Sequence, residues 1–383
     1  MEIFSECKTT LKKVCGVGLA LIGIGQVAAA QEKIVIPEDF SDFQEVTYDF
    51  KAVGPTLIFS DSPEFVYKNG VLYRDDVQGK LRIFFHHLNA VKGTTKKLAV
   101  VLKNKSSLKP VNYTITRQGM GGKTHDWLLD GKVAEENYFT KEQKIVNGKL
   151  GFGRSIELIS GKGILLKFNQ LWTGIVDFEL DSKAELSVLM CDARSDIDLF
   201  NENAVILPMD EHPLRGTFNN ADWVYDIKDN IQGETTRMIK LAGAEDGEGY
   251  IKGVDKTTGL PAENYGNYGV MYEMNFTIGG KQQMNFVMNP IGGPFNGWGV
   301  LETNGKKKFI GMPEDAVNTA NNVEDARILA KLAPGKYKFT WSPAGTASLP
   351  LRFFWMPYSR QKEIKNINKK YFKSYKASVN DEE

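Results

Sequence analysis

Gly54 to Asn89 reads GPTLIFSDSPEFVYKNGVLYRDDVQGKLRIFFHHLN. Short runs rich in Val, Ile, Phe and Tyr alternate here with residues that favour turns, which is the pattern of β-strands. Lys68-Asn69-Gly70 separates Phe65–Tyr67 from Val71–Tyr73, and Asn-Gly tolerates the positive φ that a tight hairpin demands. Gln78-Gly79 marks a second turn, and Leu81–Leu88 supplies a third, more hydrophobic strand. Pro63 stands where it can start a strand without removing a ladder hydrogen bond. The stretch is expected to form a β-meander.

Working outward, the same alternation persists. Lys97–Lys103 and Val111–Thr116, separated by the polar loop Asn104–Pro110, read as the edge of a β-sandwich. Gly163–Phe168, Gly174–Leu180 and Ala184–Met190 continue the series. A boundary is expected between Arg194 and Asn220, which is rich in Asp, Asn and Pro. Strands resume at Ala221–Ile227 and Arg237–Leu241, followed by a hairpin of Val270–Ile278 and Gln283–Met288 around Gly279-Gly280-Lys281. Gly335–Ser342 and Leu349–Met356 close the series, with the small-residue loop Ala344-Gly345-Thr346 between them. Helical periodicity is weak and confined to Glu314–Leu332, where Ala316, Ala320 and Val323 share a face. The expected fold is mainly β, with two β-sandwich domains, immunoglobulin-like or jelly-roll-like, over 41–206 and 207–358 and little helix.

The ends differ from this body. Lys8, Lys12 and Lys13 precede the apolar run Val14–Ile24, and Ala28-Ala29-Ala30 follows, which is the pattern of a cleaved signal peptide over residues 1–30. An apolar run of about a dozen residues is too short for a membrane span, which needs roughly 20. No transmembrane segment is expected in the mature chain, which belongs outside the cytoplasm, secreted or in the cell envelope. Residues 31–40 read as a linker and 359–383 as a charged tail, basic and then acidic. Removing the first 30 residues takes three Lys and two Glu from 48 basic and 47 acidic residues, so the remainder carries no net charge. That balance argues against nucleic acid, whose binding depends on clustered Lys and Arg. Cys7 and Cys15 leave with the signal, and Cys191 remains alone, which excludes a disulfide scaffold. Its setting, Ala184 to Cys191, reads as a buried strand.

Phe59-Ser-Asp-Ser-Pro-Glu-Phe65, Gly70-Val-Leu-Tyr73, Arg82-Ile-Phe-Phe-His-His-Leu-Asn89 and His212-Pro-Leu-Arg-Gly-Thr-Phe218 resemble the uncharacterised β-rich region of secreted Firmicutes proteins. Those proteins often carry the label "copper amine oxidase N-terminal domain-containing". The resemblance covers most of residues 50 to 357. The labelled module, a short repeat often tied to the cell wall, has no counterpart here. No amine oxidase activity therefore follows, and no residue roles come with the resemblance.

Candidates for chemistry are few. His86 and His87 are adjacent on a strand and point to opposite faces, one expected in the core and one outside, so they cannot easily share a metal. His125 and His212 add no ligand spacing, and no metal or cofactor is expected. Asp192, Asp196 and Asp198, and the loop Glu245-Asp-Gly-Glu248, lack the EF-hand pattern and read as solvated turns. Gly119–Gly122 lacks the Lys-Ser/Thr of a phosphate loop and reads as a tight bend. Phe295 and Trp298 lie on the glycine-rich run Gly292–Gly299, near Tyr265 and Tyr268 in sequence, and Trp127 follows His125. An aromatic face exposed on a sandwich is a platform for the apolar face of a sugar. These five aromatics are the candidate binding residues. Neither a G-x-S-x-G elbow nor an H-E-x-x-H helix occurs. The chain is expected to be a non-catalytic envelope or extracellular protein that binds a cell-wall polymer, polysaccharide or protein partner. The alternative is a carbohydrate-active enzyme whose acid and base carboxylates are scattered over several strands.

Overall fold

The computed structural model describes residues 33–34, 43–159, 164–242, 248–318 and 326–361. The signal-like segment 1–30, most of the linker, Glu245 to Gly247 and residues 362–383 of the tail lie outside the described residues. Among those described, the chain is mainly β. Twelve strands form sheet I, and sheets II and III have six each. Helices α1 (Trp127–Thr140) and α2 (Ile197–Asn203) interrupt them.

Sheet I is built on two long strands, Gly70–Asn89 and Leu171–Asp192, which run antiparallel along most of their length. The hairpin at Lys68-Asn69-Gly70 and the meander do not form. Phe65–Val66 pairs in parallel with Leu88–Asn89, at the far end of the strand that Gly70 begins. Nor does Gln78-Gly79 end a strand. Gly79 has a φ of 81° within it, and the register steps from Gly79↔Leu180 to Val77↔Ala184. A bulge uses the same positive-φ glycine as a turn, but it bends the strand instead of reversing it. On either side of the bend, Thr95–Lys103 pairs with one end of Leu171–Asp192 and Val111–Met120 with the other. The two halves share a core that includes Ile83, Phe85, Val100, Phe178 and Val188, so the sheet folds over itself as one sandwich.

Sheets II and III form the second sandwich. Sheet II runs Lys33–Ile34, Ala326–Leu332, Met284–Pro290, Leu351–Pro357, Arg237–Leu241, Gln44–Glu45. Sheet III runs Lys306–Asn318, Gly293–Thr303, Gly335–Pro343, Met271–Ile278, Asp222–Ile231, Tyr48–Val53. The turn at 279–281 therefore carries the chain from sheet III to sheet II and does not close a hairpin within one sheet. Period-two alternation in Gly335–Pro343 sends Phe339 and Trp341 inward. There they meet Phe286 and Phe353 of sheet II at ring separations of 5.1 to 5.7 Å. Each buried ring of this kind contributes about 1.5–3 kcal/mol relative to exposure. Where a weak helix is expected over 314–332, the described residues belong to strands Lys306–Asn318 and Ala326–Leu332, and 319–325, with Ala320 and Val323, lie outside the described residues. The second strand is buried on both faces, and a continuous apolar run does not distinguish a strand from a helix.

Both sandwiches draw on residues either side of 206. Tyr48–Val53 pairs with Asp222–Ile231, and Arg215–Phe218 with Thr56–Ser60. The outer face of sheet I, with Leu57, Phe59, Phe84 and Ile175, joins the core cluster of the second sandwich. Sheet I is thus covered on both faces, which corrects the expectation for its histidines. His86 and His87 do point to opposite faces, but both are buried. Among the described residues, no helix is long and apolar enough to cross a membrane.

Candidate functional site

The expected aromatic platform is dispersed. Phe295 is fully buried, its ring edge-on to Trp341 at 5.9 Å, and Trp298 is buried in the same strand. Both rings belong to the core cluster of the second sandwich, so they present no face to solvent. Tyr268 is half-buried, donates its hydroxyl to the Ala347 carbonyl at 3.0 Å, and packs near Phe59 and Phe84. Trp127 begins α1, and its side chain lies outside the described ones. Tyr265 alone of the four described offers a face, with 53% of its surface exposed. It lines a shallow cleft of about 510 Å³ with Leu260, Pro261 and Met209.

Other candidates have structural partners. Asp192 accepts from Lys96 at 2.6 Å, Asp196 caps α2 by accepting from the Leu199 N–H at 3.0 Å, and Glu248 accepts from Tyr225. Cys191 is buried, which pushes its thiol pKa up. His125 is exposed and bonds the Asn169 carbonyl. Gly119 closes strand Val111–Met120 and makes no bend. A Cβ there would overlap the Ala134 carbonyl and the Tyr138 backbone, so glycine lets α1 lie directly on the strand. Among the described residues, no group of three His, Cys, Asp or Glu is placed to hold a metal ion.

The structure brings together a different set. Pro63, Glu64, Phe65, Tyr67 and Lys68 face Leu207 to His212 and Thr346 across a cleft of about 830 Å³. Asp210 ties the two walls. Its Oδ1 accepts from the Ser62 hydroxyl at 2.8 Å and the His212 N–H at 3.1 Å, and its Oδ2 from the Glu64 N–H at 2.8 Å. Beneath the first wall, His87 bonds the Pro63 carbonyl through Nδ1 at 2.9 Å and the Ser60 hydroxyl through Nε2 at 2.8 Å. A carbonyl can only accept, so Nδ1 carries the proton and Nε2 receives the Ser60 hydroxyl. Burial lowers the His87 pKa to about 4, which keeps the ring neutral in this role. Arg215 anchors both walls from below, donating to the carbonyls of Ser62, Leu72 and Leu207.

The lining of the cleft is chemically mixed. Tyr67, 72% exposed, Phe65, Pro208 and Met209 are its apolar members. Glu64, Asp210, Glu211 and His212 are its polar ones. Burial, reinforced by the Asp210 charge and opposed by His212, raises the Glu64 pKa to about 7. Asp61 lies behind this wall with its carboxyl pKa pushed well up, first by burial and then by Glu64 and Asp210. Sequence reasoning missed Glu64, Tyr67 and Asp210 as a set, because the walls are more than 140 residues apart. The only signal was indirect. The segments 59–65 and 212–218, which carried the family resemblance, contribute to opposite walls or their support.

No protein-family model matches this chain, and no curated sequence is similar to it. Solved structures resemble it faintly. A protein provisionally called an alpha-L-fucosidase, from Bacteroides ovatus, is 9% identical over 74% of this chain, with a TM-score of 0.15; the chain spans 38% of that protein's length. The tandem family 51 carbohydrate-binding modules of a Streptococcus pneumoniae family 98 glycoside hydrolase are 11% identical. That match covers 76% of this chain and 88% of theirs, with a TM-score of 0.15. The tandem family 22 modules of Paenibacillus barcinonensis are 9% identical over 80% of this chain and 91% of theirs, at 0.14. Scores this low carry no argument about the ligand.

Proposed function

We propose that this is an exported binding protein that holds a polysaccharide chain in the cleft between residues 63–68 and 207–212. The observation that carries the reading is that an exposed aromatic, Tyr67, lines the same cleft as Glu64 and, on the facing segment, the firmly held Asp210. A sugar ring presents an apolar face and a rim of hydroxyls, so its recognition needs both kinds of surface in one concavity. Glu64 and Asp210 supply hydrogen-bond acceptors for hydroxyls, and Asp210 is held rigid by three donors. The signal-like N-terminus fits a partner outside the cytoplasm, and the absence of net charge on the remainder fits an uncharged or locally charged ligand.

Retention on a panel of insoluble polysaccharides tests the reading. Tyr67→Ala is expected to weaken retention roughly 30-fold, the equivalent of about 2 kcal/mol for a truncated aromatic anchor. The melting temperature should stay unchanged, since the residue is exposed. Retention equal to that of the parent protein would reject the cleft. A second reading is favoured by Glu64, which holds a proton near neutral pH beside the Asp210 carboxylate. Such a pair suits general acid catalysis of glycoside cleavage. Release of soluble sugar, lost in Glu64→Gln, is its expected signature, and retention without release leaves the binding reading standing.

A further inference from the structure

We propose that the bound polysaccharide runs beyond the first cleft into a second, beside Tyr265, so that the protein recognises a stretch of chain longer than one cleft holds; this rests on the polysaccharide reading above. The two concavities are neighbours. One segment gives Leu207 to His212 to the first cleft, and Met209, Pro213 and Arg215 to the shallow one of about 510 Å³. Met209 lines both, so the clefts meet across this segment. A single buried guanidinium also supports both. Arg215 donates to the Ser62 and Leu207 carbonyls at the walls of the first cleft, and with its partner Asp255 it lies among the lining of the second. The spacing between the clefts is thereby fixed, as it must be for subsites on one chain.

The turn that carries Tyr265 is built to hold that ring still. Asn264 is fully buried, and its side chain both accepts from the Tyr268 N–H at 3.2 Å and donates to the Tyr268 carbonyl at 2.9 Å. Asn267, equally buried, accepts from the Ile251 N–H at 2.8 Å and donates to the Tyr272 hydroxyl at 2.6 Å and the Gly249 carbonyl at 3.1 Å. Between Asn264 and Tyr268, Tyr265 is the one exposed residue. Tyr250 meets its ring edge-on at 5.6 Å and leaves 53% of the residue open to solvent. An anchor fixed in advance loses little conformational freedom when a ligand stacks on it.

The surroundings of Tyr265 repeat the chemistry of the first cleft. Leu260, 58% exposed, and Pro261 extend the apolar surface. Lys252 and Glu263, directly opposite one another on paired strands, add donors and an acceptor. Each cleft thus combines an exposed tyrosine with polar groups suited to hydroxyls. Two similar sites on one surface suit a linear polymer, which presents the same ring again further along. A chain that reaches both meets the cost of immobilisation once, and its second contact forms at high effective concentration.

Isothermal titration with dimers and hexamers of β-1,4-linked glucose, xylose and N-acetylglucosamine tests this. For a sugar that binds, the hexamer is expected to bind at least about 100-fold more tightly than the dimer, the gain from linking two sites. Tyr265→Ala should weaken the hexamer roughly 30-fold and leave the dimer, held in the first cleft, unchanged. Leu260→Ser, at a second exposed lining residue, should act in the same direction and serves if the tyrosine variant fails to fold, with melting temperatures as the check. Dimer and hexamer affinities within about tenfold of each other would overturn the second cleft and leave the polysaccharide reading standing. Hexamer binding that neither variant weakens would do the same. Equal losses for dimer and hexamer in Tyr265→Ala would confine the ligand to the second cleft and overturn both readings, as would binding of no sugar by the parent protein.

Discussion

Replacing Arg215 with Leu is expected to destabilise the fold by about 3–5 kcal/mol, the range for breaking a buried ion pair from one side. Arg215 is 2% exposed, and its Nε donates to Asp255 Oδ2 at 3.0 Å. Its Nη1 reaches the carbonyls of Leu207 at 2.8 Å, Leu72 at 3.0 Å and Ser62 at 3.4 Å, and its Nη2 the Thr257 hydroxyl at 2.9 Å. Removing the guanidinium strands Asp255, which is equally buried, and leaves three carbonyls without this donor. Burial alone would raise the Asp255 pKa, but Thr257 and Arg215 hold it below the usual carboxylate range. Thr257 would keep donating to Asp255 in the variant and soften the loss. Asp255→Asn is the control, since it preserves the carbonyl bonds and should cost less, about 1–3 kcal/mol. Ser62 and Leu207 belong to opposite walls of the cleft, so Arg215→Leu should also abolish polysaccharide retention at temperatures where the variant is still folded. Urea unfolding reads the first effect. A change under 1 kcal/mol would mean that the hub does not bear on stability.

That hub also marks how far the sequence could be read. Strand content was legible because alternation is local: Gly335–Ser342 and Leu349–Met356 were found within one or two residues of the observed strands. Strand partners were not legible. Gly279-Gly280-Lys281 has the composition of a hairpin turn whether the chain returns beside itself or crosses to the opposing sheet. Gln78-Gly79 carries the same ambiguity between a turn and a bulge, and only the 22-residue partner strand resolves it. Helix α1 was invisible to a search for an apolar stripe because its buried positions include Asp130 and Glu135 beside Ala134, Tyr138 and Phe139. Its N-cap was present in Asp126, which accepts from the Leu129 N–H, but a cap without a stripe is a weak signal. The cleft failed to register for a third reason. Asp210, Glu64 and Arg215 become neighbours only after Arg215–Phe218 pairs with Thr56–Ser60, a contact that no local pattern encodes.

The buried acid on α1 gives the second large effect, and its sign can be worked out. Glu135 is 1% exposed, with Oε2 accepting the Trp298 N–H at 3.0 Å and Oε1 without a donor among the described residues. Burial holds its pKa well above the usual carboxylate range, with the Trp298 N–H opposing the rise only in part. In the unfolded chain Glu titrates near 4.3. Between that value and its folded pKa, the native state binds a proton that the unfolded state does not. Stability from this group is therefore full below about pH 4 and falls as pH rises, by at most about 1.4 kcal/mol per unit. Glu135→Gln keeps a carbonyl oxygen for the Trp298 N–H and has no proton to lose. Relative to the parent, the variant should gain stability as pH rises above about 5, by at most about 1.4 kcal/mol per unit. At pH 4 the advantage should vanish. Other acids with raised pKa, such as Asp61 and Asp222, are common to both proteins and cancel in the difference. Urea unfolding of both proteins from pH 4 to 8 measures that difference directly, and parallel curves across the range would show that Glu135 ionises in the fold as readily as in the open chain.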